Sequence, residues 1–214
     1  AALFVDNRIV LSPGDGAGNF GSLIASPGEP LLQNGVHEML PADMNGDGHL
    51  DLIVASRQPD WITTLLGQGD GTFVTLPPQE TPYIIARLVV DLDGDGRPEI
   101  VERLNEKAIR VLRGDGTGRF EVSQTIAIDA DPEQMAAADF DQDGHVDVVL
   151  STSQGKRLIL PGAPGGRLGQ PFALVGHSTQ GGLFTADVNG DGRPDLAQYE
   201  QSRIYLEVVL NISP

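Results

Sequence analysis

The chain has 214 residues, no cysteine, 27 glycines, 15 prolines and a formal net charge of −16. Without cysteine there is no disulfide framework, thiol nucleophile or thiolate metal site, and the acidity argues against nucleic acid and anionic membrane surfaces as partners. Hydrophobic residues make up 40%, enough for a packed core rather than a disordered acidic tail, and no apolar run reaches the ~18 residues of a membrane-spanning helix.

From the N-terminus, Leu3–Val5, Ile9–Ser12 and Leu23–Ser26 read as short strands, rich in aliphatic and β-branched residues and separated by Gly, Pro, Asn and Asp. A four-strand pattern follows: Glu38–Ala42, Leu50–Ser56, Trp61–Leu66 and Thr72–Leu76. It recurs as Ile84–Val90, Ile100–Leu104, Ala108–Leu112 and Phe120–Ile126, then as Gln134–Ala138, Val146–Ser151, Arg157–Leu160 and Phe172–Val175. Gly182–Ala186, Asp195–Gln198 and Ile204–Leu210 give three strands more. No segment sustains an apolar period of 3.6 residues. The units run 1–35 (partial), 36–82, 83–131, 132–180 and 181–214 (partial), within one domain. Four antiparallel strands per ~40–50 residues is the arithmetic of a β-propeller blade. One blade cannot bury both faces of its sheet, whereas blades stacked round an axis do.

A nine-residue phrase sits between the first and second strands of four units, 48 residues apart each time. The copies begin at Asp43, Asp91, Asp139 and Asp187. Oxygen-bearing side chains occupy position 3 (Asn45, Asp93, Asp141, Asn189), position 5 (Asp47, Asp95, Asp143, Asp191) and position 9 (Asp51, Glu99, Asp147, Asp195). Position 6 is always Gly, and position 7 is His49, Arg97, His145 or Arg193. Carboxylates packed this closely repel one another unless a cation lies between them, and an all-oxygen set suits Ca²⁺. The side chain at position 7 is free to vary because its expected donor is the backbone carbonyl. The four loops hold 14 of the 30 carboxylates. Four Ca²⁺ ions would halve the net charge. An EF-hand starts in the same way but needs a bidentate Glu at position 12 and flanking helices. Position 12 here is Val54, Glu102, Leu150 or Gln198, inside strand-like runs.

The loop, the apolar strand after it and a Gly-rich turn ending in Phe (Gly67–Phe73, Gly114–Phe120) resemble the FG-GAP/VCBS repeat family. The resemblance implies an all-β fold, a β-propeller of four-stranded antiparallel blades like the head of integrin α chains and several lectins. About five units are visible where such rings usually have seven blades. Either the two ends pair imperfectly, or further blades come from the same parent chain or a second chain. The resemblance carries the metal ligands over to the loop positions named above, and the first unit departs from it by lacking the loop.

Function is expected to be that of a secreted or cell-surface module with about four structural Ca²⁺ ions, since loops of this kind often bind weakly enough to need extracellular calcium. A glycan or protein is the expected ligand. Strand topology puts the metal loops and Gly-rich turns on one side and the second-to-third turns on the other. The second side holds Trp61, Asp60, Arg57, Tyr83 and His37, with Glu106, Lys107, His177 and Tyr199 nearby. Trp61 is a candidate platform for stacking on a sugar, or else a packing residue between blades. The alternative is the propeller scaffold of a polysaccharide-active enzyme, of lyase or sugar dehydratase type. Cleavage would need a base, and the two Lys and four His fall into no recognisable constellation. No nucleophile elbow, zinc-protease motif or phosphate cradle is present. The Gly-rich turns read as hairpins, and Asn211-Ile-Ser213 is a formal glycosylation sequon.

Overall fold

The computed structural model describes residues 2–5, 8–12, 14–22, 24–25, 36–56, 60–80, 87–174, 181–200 and 205–211. These residues form strands and turns and no helix, so no helix is long and apolar enough to cross a membrane. The chain divides into two compact units, Ala1–Ile84 with Asp115–Arg119, and Ile85–Gly114 with Phe120–Pro214.

The first unit holds two antiparallel sheets. One is β1 (Ala2–Val5), β2 (Arg8–Leu11) and β3 (Ile24–Ala25). The other runs β4 (Val36–Ala42), β5 (Asp51–Ser56), β6 (Trp61–Gly67) and β7 (Phe73–Thr75), with β8 (Gln79–Glu80) also pairing on β6. Ile9 packs with Leu52, Val54, Trp61 and Leu65 in one buried cluster.

Among the described residues, the second unit holds three sheets of three or four strands and one small hairpin. The third sheet of the chain is β9 (Arg87–Val90), β10 (Glu99–Asn105), β11 (Ala108–Gly114) and β12 (Phe120–Ala127). The fourth is β13 (Pro132–Ala138), β14 (Asp147–Thr152), β15 (Arg157–Leu160) and β18 (Phe172–Leu174), interrupted by the small hairpin β16 (Gly162–Ala163) and β17 (Arg167–Leu168). The fifth is β19 (Leu183–Ala186), β20 (Asp195–Glu200) and β21 (Tyr205–Val209).

Alternation along the central strands explains why these sheets stack. All six residues of β14 are buried. Val148 and Leu150 enter a cluster with Val101, Ile109, Val111 and Ile126 of the third sheet, while Val149 between them enters a cluster with Leu183 and Leu196 of the fifth. A strand that fills a core on each face reads as a continuous apolar run rather than an alternating one. Burial on this scale contributes about 25 cal/mol per Å² of apolar surface. The first strands β9, β13 and β19 lie side by side, as the inner strands of neighbouring blades do. The four-stranded antiparallel blade expected from the sequence is therefore the blade that forms. The hairpin β16–β17 was not expected; it lengthens the Gly-rich turn of the fourth sheet.

Candidate metal centres

Each acidic loop joins the first and second strands of a sheet: β4 to β5, β9 to β10, β13 to β14 and β19 to β20. The position-1 aspartate winds the loop around itself. Asp43 Oδ1 accepts the Gly46 N–H at 2.8 Å and Oδ2 the Gly48 N–H at 2.8 Å. Asp91 accepts from Gly94 at 2.7 Å and Gly96 at 2.9 Å, and Asp187 from Gly190 at 2.7 Å and Gly192 at 2.9 Å. Asp139 accepts from Asp143 at 3.1 Å and Gly144 at 2.9 Å. Position 3 accepts the N–H of position 5 at 2.9–3.2 Å in all four loops. Position 5 accepts that of position 7 at 2.8–2.9 Å. These are the turns that Asp and Asn make with backbone two residues on, so the acids shape the loop as well as charge it. Asp43 Oδ1 and Asp187 Oδ1 each accept a second N–H as well, from Asp47 at 3.2 Å and Asp191 at 3.1 Å, while Oδ2 of each accepts one N–H and keeps a lone pair for a cation.

Position 9 has a role the sequence did not reveal. Asp51, Glu99, Asp147 and Asp195 open the second strands and are at most 3% exposed. Each accepts the N–H of position 2, from Met44, Leu92, Phe140 and Val188, at 2.8–3.0 Å. The other oxygen of Asp51, Asp147 and Asp195 reaches the end of the third strand. There it accepts from Gly67 at 2.8 Å, Gly162 at 2.7 Å and Asn211 at 2.7 Å. One carboxylate thus ties the metal loop to a strand end 15 or 16 residues away.

Burial pushes the Glu99 carboxyl up to about 7, and it pushes Asp51 and Asp147 up as well. Asp195 goes the other way, held down chiefly by the Asn211 N–H, and the Asn45 amide holds Asp47 down. Two loops gather three carboxylates whose oxygens lie within 4.8 Å of one another: Asp91, Asp93 and Glu99, and Asp139, Asp141 and Asp147. In the other two loops Asn45 and Asn189 replace one acid, and their amides donate to Asp47 and Asp191 at 2.9 Å. The donor set is oxygen only, clustered, and partly withdrawn from water, which fits a hard divalent cation. Burial that pushes the Glu99 carboxyl to about 7 favours a proton or a cation over the bare carboxylate. His49 and Arg97 at position 7 are exposed, and His145 and Arg193 half-buried.

Three participants were not foreseen. Arg113 Nη2 lies 2.8 Å from Asp93 and 3.5 Å from Asp95, a cation supplied to one of the two most acidic loops by its own third strand. Gln142 stands at position 4, where the other loops have Gly, and keeps a left-handed φ of 60°; its amide donates to the Gly192 carbonyl of the next loop at 3.1 Å. The break in the repeat was the only signal for it. Asn211 donates from its amide to the Phe140 carbonyl at 2.6 Å, so the sequon asparagine is spent on the fold.

The candidate ligand face fares differently. Trp61 is 7% exposed and packs among Ile9, Leu52, Val54 and Leu65. Its ring has no free face for a sugar, and the stacking role is corrected to packing between two sheets. Asp60 is exposed in the turn before β6, and Glu106 and Lys107 are exposed between β10 and β11. Arg57, Tyr83 and His177 lie outside the described residues, and so does the side chain of His37 in β4.

The profile of the FG-GAP-like repeat matches residues 43–102, 91–150 and 139–197. The chain belongs to the FG-GAP-like repeat family. Each FG-GAP-like match starts on a position-1 aspartate and takes in the following acidic loop as well. No curated protein matches the chain. Among solved structures, the crystal structure of BBS1N in complex with ARL6DN, soaked with lead, is 15% identical over 97% of this chain and 66% of that one, with a TM-score of 0.46. The crystal structure of TcdB2-TccC3 is 18% identical over 95% of this chain and 14% of that one, with a TM-score of 0.31. This FG-GAP-like chain spans less than two thirds of the length of either.

Proposed function

We propose that this FG-GAP-like array is a calcium-stabilised, extracellular binding module for a glycan or protein ligand, in which calcium is structural. One observation carries the calcium part: in every loop a carboxylate at position 9 is buried and fixed to two segments of its own sheet or to the loop itself, beside further acids. About four ions would be held by Asp43, Asn45, Asp47 and Asp51; by Asp91, Asp93, Asp95 and Glu99; by Asp139, Asp141, Asp143 and Asp147; and by Asp187, Asn189, Asp191 and Asp195. The backbone carbonyls of His49, Arg97, His145 and Arg193 complete the sets. The ion supplies charge neutralisation and fixes the hairpin between first and second strands. Sites of this openness are tuned to the calcium of an extracellular medium. The ligand meets a second-to-third turn, such as the one between β10 and β11 where Glu106 and Lys107 stand exposed, because the acidic loops at the other end of the strands are taken up by metal.

Thermal unfolding in millimolar CaCl₂ against excess EDTA tests the reading, since a ligand at 100 times its dissociation constant adds ~2.7 kcal/mol per site. The expected result is a melting temperature lower by more than about 10 °C in EDTA, with close to four calcium ions bound by titration calorimetry. A melt that EDTA leaves unchanged would sink the metal assignment. Glycan-array binding in calcium, lost on substituting Glu106 and Lys107 together, checks the ligand-binding turn.

A further inference from the structure

Two side chains break the repeat, and both make hydrogen bonds to a neighbouring acidic loop. At position 4 the first, second and fourth loops carry Gly46, Gly94 and Gly190, whereas the third carries Gln142. At the strand end that position 9 holds, the second and fourth sheets carry Gly67 and Gly162, whereas the fifth carries Asn211. Glycine has no side chain to give at these places. Gln142 reaches from the third loop to the fourth, and Asn211 reaches from the fifth sheet back to the third loop.

The Gln142 bond lands inside the framework of the fourth loop. Its amide donates to the Gly192 carbonyl at 3.1 Å. Asp187 Oδ2 already holds the Gly192 N–H at 2.9 Å. The peptide unit that carries the Gly192 carbonyl also carries the Arg193 N–H, which Asp191 holds at 2.9 Å. Gln142 thus grips backbone tied to Asp187 and Asp191, positions 1 and 5 of the fourth loop. Its own place, between Asp141 and Asp143, is strained. Among the described residues it alone, apart from glycines, has a positive φ, at 60°, a backbone that a side chain disfavours. Glycine there would relieve the strain and lose the bond. The Asn211 bond completes a path between two position-9 carboxylates. Asp147 Oδ2 accepts the Phe140 N–H at 3.0 Å, the Phe140 carbonyl accepts the Asn211 amide at 2.6 Å, and the Asn211 N–H donates to Asp195 Oδ1 at 2.7 Å. The third and fourth loops are therefore braced to each other at two points.

We propose that the third and fourth metal centres fill as a coupled pair, with Gln142 and Asn211 as the positioning residues that carry the coupling. The coupling rests on the calcium reading of these loops and names which of them act together. An ion in one loop fixes its acids, and the two braces fix the facing residues of the other loop. The second ion then has less chain to order. Such coupling is reciprocal, so each ion raises the affinity for the other by the same factor. The second loop has Gly94 at position 4 and takes Arg113 from its own third strand onto Asp93; it fills independently.

The test follows the backbone amides of Gly96, Gly144 and Gly192, one in each of these loops, by heteronuclear NMR as CaCl₂ is titrated into the metal-free whole chain. Gly144 and Gly192 are expected to shift together along a curve steeper than single-site binding, and Gly96 along a simple hyperbola. Asp191→Asn, which weakens the fourth centre, should raise the calcium midpoint of Gly144 at least about fivefold and leave that of Gly96 within about twofold. Gln142→Gly with Asn211→Gly puts at both places the residue that other loops use. Gly144 and Gly192 should then titrate along separate hyperbolas, and Asp191→Asn should no longer move Gly144. Gln142→Gly alone, which relieves the left-handed backbone, keeps the test open if the double variant does not fold. A merely structural role for the two side chains would lower the melting temperature without changing how one curve depends on the other. The proposal is overturned if Gly144 and Gly192 titrate independently in the unaltered chain, or if the glycine variants leave their mutual dependence intact. If all three amides respond but independently, the coupling alone falls. If none responds to calcium, the calcium reading falls and the coupling with it.

Discussion

Glu99 meets opposite demands from its burial and from the proposed metal. Burial raises its carboxyl from 4.5 to about 7, so the metal-free fold prefers the protonated form. Stability from such a group is fully present below its unfolded value and is lost as pH rises through its folded value. Between pH about 4.5 and 7, acidification should therefore stabilise the chain in EDTA, with Asp51 and Asp147 acting in the same direction. The lowered carboxyls, Asp195 and Asp47 among them, bear on stability only below their ordinary value of 3.8. With calcium the sign reverses, because the ion needs the charged form. The melting temperature in EDTA is expected to rise from pH 7.5 to 5.5 while the gain from calcium shrinks. Glu99→Gln should flatten most of that dependence, and an EDTA melt that falls over the same interval would contradict the assignment. The clustering of the loop acids was legible from spacing alone. The strand-end N–H groups that position 9 also holds were not, because Gly67, Gly162 and Asn211 share no residue type and lie 15 or 16 positions away.

At the scale of elements, the strands were readable because β-branched runs and turn residues alternate at short range. The Gly-rich turns were readable only as hairpins. Their hold on the preceding sheet joins residues far apart, such as Thr64 and Gly118, 54 positions distant, and no local pattern reports it. Trp61 was left between two readings for a related reason: a Trp at the start of a strand looks the same in sequence whether it faces solvent or Ile9 of another sheet. Gly118 gives a direct measure of the hold. It has φ +85°, and a methyl there would lie 2.9 Å from Leu66 Cδ2 and Leu76 Cδ1, which would have to shift. Gly165 has φ +75° with nothing within 4 Å. Gly165→Ala should then cost ~1–2 kcal/mol for the left-handed backbone, and Gly118→Ala about 2–4 kcal/mol because a clash is added. Equal losses in chemical denaturation would mean that the turn rests on the second sheet without clamping it.

For the whole molecule, charge and period are the governing facts. A net charge of −16 repels itself in the absence of a divalent ion, and salt screens that repulsion over about 10 Å at 0.1 M. Raising NaCl from 0.02 to about 0.5 M should raise the melting temperature in EDTA by several degrees and change it much less in calcium. Equal slopes in the two buffers would show that the loops are not where the repulsion is relieved. The double-sided burial of β14 also bears on how such an array changes in length over time. One residue inserted in that strand would send Val148 and Leu150 to the core that Val149 fills, and Val149 to theirs. Two interfaces would fail at once. Insertions and deletions are therefore confined to connections, as the extra hairpin β16–β17 illustrates, and an array of this kind grows or shrinks by whole repeats.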